Sequence, residues 1–124
     1  MYDINGQELE WIKKTLDTDF AGREILLNQI AQSQVSIRNE RGLVSIDFTV
    51  DESVGRYPYN ARVPVEMRAF QEETPPIVFL LHVVDGFVNE LEVFVADLSD
   101  IPKNQIRFDT VEYVVSEEVS LNKG

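Results

Sequence analysis

Asp85-Gly86 divides the most β-rich part of the chain into two runs, IVFLLHVV and FVNELEVFVA. A type I′ turn needs positive φ at both central residues, which Asp-Gly tolerates well, so these two residues are predicted to form the tip of a hairpin. A two-residue loop then sets the pairing. Val84 meets Phe87, His82 meets Asn89, Leu80 meets Leu91 and Val78 meets Val93 on one face. The other face holds Val83 with Val88, Leu81 with Glu90, Phe79 with Glu92 and Ile77 with Phe94. The first face is aliphatic apart from His82 and Asn89, and is the expected seat of covering helices. The second mixes Ile77, Phe79, Leu81 and Phe94 with two carboxylates, the pattern of a partner-binding or dimer face. The assignment turns on register, because a one-residue slip, such as a bulge at Gly86 would cause, exchanges the faces.

Upstream, Asn5 with Glu8 three positions later has the form of a capping box, and Leu9, Ile12 and Leu16 recur on one helical face. A first helix is predicted from about Gly6 to Leu16. Asp17-Thr18-Asp19 offers cap oxygens to a second, in which Ile25, Leu26 and Ile30, with Phe20 and Leu27, form an apolar stripe ending near Gln32. After Ser33 the period falls to 2. Val35 and Ile37 alternate, Asn39–Gly42 turns, and Val44, Ile46, Phe48 and Val50 share one strand face. Residues 51–60 form a polar loop, and Pro64 predicts that the strand within residues 61–70 is an edge or begins late. EETPP at residues 72–76 breaks the chain, residues 98–104 form another turn-rich connection, and a last strand is expected over residues 106–115. Helices first and strands afterwards make an α+β chain: two N-terminal helices packed on one face of a largely antiparallel sheet of about five or six strands. At 124 residues, residues 1–124 are expected to form one α+β domain with a core of its own.

Charge excludes more than it identifies. The chain has 22 acidic and 11 basic residues, and residues 71–124 alone hold 11 acids against 3 bases. Such a field repels phosphate, so nucleic acid is not expected as a partner. With no cysteine there is no disulfide, thiolate nucleophile or sulfur-ligated metal, which fits a cytoplasmic location. The longest apolar run, residues 77–84, is too short to span a bilayer, and the first residues lack the basic-then-apolar order of a secretory signal. No membrane association is expected. Gly42, Gly55 and Gly86 are isolated, without a phosphate-cradling loop.

The one histidine, His82, has the right chemistry for a general base, but no nucleophile and orienting acid accompany it, so a structural role paired with a neighbour such as Asn89 is expected. Glu90 and Glu92, two apart on a strand, share a face and suit partner contact better than a metal or acid-pair site. In GRYPYNAR, Arg56, Tyr57 and Tyr59 form a second contact candidate, since Arg and Tyr are favoured at protein interfaces.

The stretch HVVDGFVNELEV, through His82, Asp85, Gly86, Glu90, Leu91 and Glu92, resembles the hairpin of a family of small, uncharacterised bacterial proteins. Some of these sit among the immunity proteins of polymorphic toxin systems. VSIDFTVDE and VPVEMRA fit the same family more loosely. The resemblance implies a noncatalytic protein that neutralises a toxin by binding it, and supplies no catalytic residues. The expectation is an acidic binding protein for a basic partner, with no cofactor, metal or catalytic residue, contacting its partner through Phe79, Leu81, Glu90, Glu92, Phe94, Arg56, Tyr57 and Tyr59. The alternatives are a homodimeric assembly subunit using Phe79, Leu81 and Phe94, and a metal-dependent enzyme using Glu90 and Glu92.

Overall fold

The computed structural model describes residues 6–72, 74–97, 99–102 and 106–121. Two helices, α1 (Gly6–Thr15) and α2 (Arg23–Ala31), precede six strands: β1 (Gln34–Glu40), β2 (Leu43–Thr49), β3 (Val65–Ala69), β4 (Ile77–Val84), β5 (Phe87–Val95) and β6 (Val111–Val115). A short 3₁₀ helix, Glu117–Val119, follows. The strands form one antiparallel sheet in the order β1-β2-β5-β4-β3-β6. α1 lies over β3 and β4 and α2 over β5, on the same face. The fold is therefore α+β, with N-terminal helices on an antiparallel sheet.

The α1 surface that enters the core is Glu8, Trp11, Ile12 and Thr15, whereas Leu9 is 39% exposed. Thr15 can be buried because its hydroxyl donates to the Trp11 carbonyl at 2.8 Å, which satisfies the polar group inside the helix. Asn5 lies outside the described residues. Asp17–Asp19 does not cap α2. The helix starts only after Gly22, whose φ is 76° and which contributes no side-chain cap. A side chain there would fall 2.6 Å from the Tyr57 ring, so glycine serves both the left-handed backbone and the close approach of the loop. Pro64 falls just before β3, which begins late. It is an interior strand between β4 and β6.

The hairpin tip forms as its sequence predicts, with φ 54° at Asp85 and 85° at Gly86. The register does not. Val84 pairs with Phe87 and Val83 with Val88, but His82 then pairs with Glu90, Leu81 with Leu91, Phe79 with Val93 and Ile77 with Val95. Asn89 is the extra residue of a β-bulge, and it reverses the sense of every later side chain on β5. The helix-covered face thus gains Ile77, Phe79, Leu81, Val83, Val88, Leu91, Val93 and Val95, all 4% exposed or less. The slip foreseen at Gly86 occurs three residues further on. The helices cover the face expected to be open.

Candidate functional site

The uncovered face of the sheet is readable row by row from the strand register. One row runs Ser36–Asp47–Glu90–His82 across β1, β2, β5 and β4. The next crosses all six strands as Arg38–Ser45–Glu92–Leu80–Glu66–Val114, and a third runs Glu40–Leu43–Phe94–Val78–Arg68–Glu112. Charge dominates the β1–β5 side. Leu80, Val78 and Phe94 line a shallow depression of about 380 Å³ with Glu66, Arg68, Pro76 and Ala96.

The charged part is a connected network. Arg38 grips Asp47 with two nitrogens, Nε to Oδ2 at 2.7 Å and Nη2 to Oδ1 at 3.2 Å, the planar fork that favours a guanidinium on a carboxylate. Arg38 holds the Asp47 carboxyl below the usual carboxylate range, with Ser45 assisting. The Ser45 hydroxyl is fully buried; it accepts from Arg38 Nη2 at 3.0 Å and lies 2.6 Å from Glu90 Oε2 and 3.0 Å from Asp47 Oδ1. One hydroxyl proton is shared between two carboxylates, with the shorter contact to Glu90. These contacts join β1, β2 and β5 on the open side.

His82 forms the second node. Its Nδ1 is 2.9 Å from Arg62 Nη1 and its Nε2 is 2.8 Å from Glu92 Oε1. A guanidinium only donates, so Nδ1 must accept and Nε2–H must donate to Glu92. His82 is therefore paired to Glu92 and Arg62 rather than to Asn89. Glu90 is bound to Ser45 and Glu92 to His82, and among the described residues no three histidine or carboxylate side chains are placed to hold a metal ion together.

Of the residues expected to meet a partner, Glu90, Glu92 and Phe94 lie on this open face, each partly exposed. Phe79 and Leu81 do not. They are 0% and 1% exposed, and Phe79 packs edge-on against Trp11 at 6.0 Å. The bulge at Asn89 is the physical reason. Phe79, Leu81 and Phe94 therefore share no face, and the dimer surface built on them does not exist; Val78, Leu80 and Leu43 are the apolar neighbours Phe94 actually has. The tyrosine-rich loop is also mostly structural. Tyr57 is 2% exposed, and its hydroxyl donates to the Ala21 carbonyl at 2.7 Å. Burial pushes its phenol up to about 12. Arg56 lies over the Phe87 ring at 5.2 Å and donates to the Asp85 carbonyl at 2.5 Å. Tyr59 alone of the three keeps a large exposed aromatic surface, at 40%.

Sequence reasoning missed Arg38, Ser45, Asp47 and Arg62 as partners in this face. The alternation of Arg38, Ser45 and Asp47 on β1 and β2 was visible, but which strand neighbours β5 was not, and Arg62 lies in the loop before β3. Among the described residues no helix is long and apolar enough to cross a membrane. The chain matches no protein-family model, and no curated protein and no solved structure matches it.

Proposed function

We propose that this chain is a noncatalytic binding protein of the cytoplasm that presents the open face of its sheet to a basic protein, in the manner of an immunity protein that blocks a toxin. The observation that carries this reading is the face itself. It sets an apolar depression at Val78, Leu80 and Phe94 beside Asp47, Glu90 and Glu92, with Glu66 at its edge, and no described element covers it. Apolar anchors beside an acidic excess, here Asp47, Glu66, Glu90 and Glu92 against Arg38 and Arg68, are a pattern by which interfaces combine burial with steering of an oppositely charged partner. The carboxylates are held rigid by Arg38, Ser45 and His82, so little side-chain entropy remains to be lost when a partner docks.

The test is binding between the purified chain and any basic protein found encoded beside its gene, measured at low and moderate salt; a neighbourhood with no such protein counts against the proposal. A one-to-one complex is expected, with an association rate falling steeply as salt rises. Leu80→Glu and Glu90→Lys, each checked for a retained fold, should weaken it at least about tenfold. Lys13→Glu, on the helix side, should leave it unchanged. Failure of the neighbour to bind, or a complex indifferent to Leu80→Glu and Glu90→Lys, overturns the proposal.

A further inference from the structure

The outer edge of β6 has the features of a docking rail. β6 pairs only with β3. Phe70 N–H donates to the Thr110 carbonyl and Ser116 N–H to the Pro64 carbonyl, both at 3.0 Å. In an antiparallel ladder the bonded residues alternate, so Thr110, Glu112, Val114 and Ser116 turn their backbone toward β3. Val111, Tyr113 and Val115 therefore point their N–H and C=O groups outward, and among the described residues these groups have no hydrogen-bond partner. Unpaired edges of this kind are templates for another strand unless charge, proline or a covering element blunts them.

Side chains along this edge specify what it would accept. Val114 is 48% exposed and faces the open side of the sheet beside Glu112, while Val111, Tyr113 and Val115 pack partly against the core. Glu112, Glu117 and Glu118 are exposed and form no ion pair with any described cation. The opposite edge differs. On β1, Arg38 already answers Asp47 and Glu40.

We infer that β6 accepts an extended, basic segment of a partner protein as a seventh strand. Its alternate side chains are apolar, against Val111, Tyr113 and Val115, and cationic, toward Glu112 and the two glutamates after it. Strand addition supplies affinity through the main chain and selectivity through alternate side chains. A second copy of this chain is a poor occupant, because it would bring Glu112, Glu117 and Glu118 against the same acidic edge. The inference rests on the proposed function only for the sign of the partner's charge, since the edge is a different surface from the depression around Leu80.

The probe is a nine-residue peptide alternating valine and lysine, with one alternating valine and glutamate as control, added to the full chain. Binding of the lysine peptide is expected to slow amide exchange at Val111, Tyr113 and Val115 at least about tenfold, and to weaken with salt. Val111→Pro removes one outward N–H at the first position of the strand, where proline is tolerated, and should abolish that protection; Glu112→Lys should weaken binding with the backbone intact. Equal binding of the glutamate peptide, unchanged binding by both variants, or self-association through β6 would overturn it. Failure of the lysine peptide to bind the full chain refutes the edge, while the proposed function, read from Leu80→Glu and Glu90→Lys, is left standing.

Discussion

Gln29 is the side chain whose removal should cost this fold most for its size. It is fully buried, and its amide donates to the carbonyls of Gly55 and Gly86 at 2.8 and 2.9 Å while its oxygen accepts from Val88 N–H at 2.8 Å. One glutamine thus ties α2 to the long loop and to the hairpin tip. β2 pairs with β5 only as far as Asp47↔Glu90, so the outward Val88 N–H has no strand to meet. In Gln29→Leu, Gly86 O keeps the bond from Tyr57 N–H at 2.7 Å, but Gly55 O and Val88 N–H lose theirs. Gly55 is exposed, so its carbonyl can turn to water, and the one orphaned buried group, Val88 N–H, gives a loss of about 1–3 kcal/mol. Gln29→Glu adds a sign. Its carboxylate would face two carbonyl oxygens in a dry site, so its folded pKa is raised above the unfolded value near 4.3. The protonated acid is then favoured by folding, and stability relative to the parent should fall by about 1.4 kcal/mol for each pH unit above that value until the folded pKa is passed. Urea unfolding followed by Trp11, the sole tryptophan and 1% exposed, reads both effects. A Gln29→Leu loss below about 0.5 kcal/mol, less than one net hydrogen bond, or a Gln29→Glu deficit constant from pH 4.5 to 7.5, about the unfolded value, would refute the role given to this amide.

The other predictions concern the same end of the molecule. Tyr57, with its phenol raised to about 12, contributes stability that is present below the ordinary tyrosine pKa and lost at about 1.4 kcal/mol per unit as pH rises from about 10 toward the folded value; unfolding at pH 8–12 should show a slope that is reduced in Tyr57→Phe and, since burial also raises Tyr113, reduced further in the double variant with Tyr113→Phe. Gly86→Ala drives a Cβ into Arg56 Cγ at a φ of 85°, so a loss of about 1–3 kcal/mol is expected, partly recovered in the double variant with Arg56→Ala; a thermal double-mutant cycle showing no coupling would contradict the contact. Deleting Asn89 removes the bulge and should send Glu90 and Glu92 toward the helices, giving a chain without a cooperative unfolding transition; a normal transition would show that β5 does not need the bulge. In ¹⁵N spectra at pH 8, His82 should appear as the Nε2–H tautomer, and Arg62→Ala should perturb Nδ1 while leaving Nε2 bonded to Glu92.

Much of this architecture was legible because it depends on period and turn chemistry. The change from helical to strand spacing near residue 33 is real, Asp85-Gly86 does adopt two positive φ values, and the α+β layering follows from element order. The errors share one cause, polar side chains that are buried because something satisfies them. Thr15 enters the core while Leu9 does not, Gln29 lies deeper than Ile30, and Ser45 sits between strands at 0% exposure. A hydrophobic template scores such residues as surface. Tyr57 failed for the related reason that its partner, the Ala21 carbonyl, is 36 residues away in sequence. Strand neighbours were equally hidden, since β5 joins β2 across residues 50–86, and only that adjacency brings Ser45 and Asp47 to Glu90.

The bulge was nevertheless decidable on energetic grounds. Along β4, Ile77, Phe79, Leu81 and Val83 keep a strict period of 2 and include the bulkiest apolar side chains. Along β5, Val88 is followed by Leu91, Val93 and Val95, a step of three and then of two. An unbroken register that covers Val88 also covers Glu90 and Glu92, and each buried, unpaired carboxylate costs several kcal/mol. It further exposes Leu91, Val93 and Val95, each worth about 1.5–3 kcal/mol when buried. Against that, one bulge leaves a single residue unpaired and bends the strand. The step of three marks where the extra residue must lie, because only there does one insertion bring all four aliphatic residues onto the face of Phe79 and Leu81. The same insertion delivers Glu90, Glu92 and Phe94 to the uncovered face beside Ser45 and His82. Asn89 thus completes the core and, by the same reversal, sets the chemistry of the uncovered face.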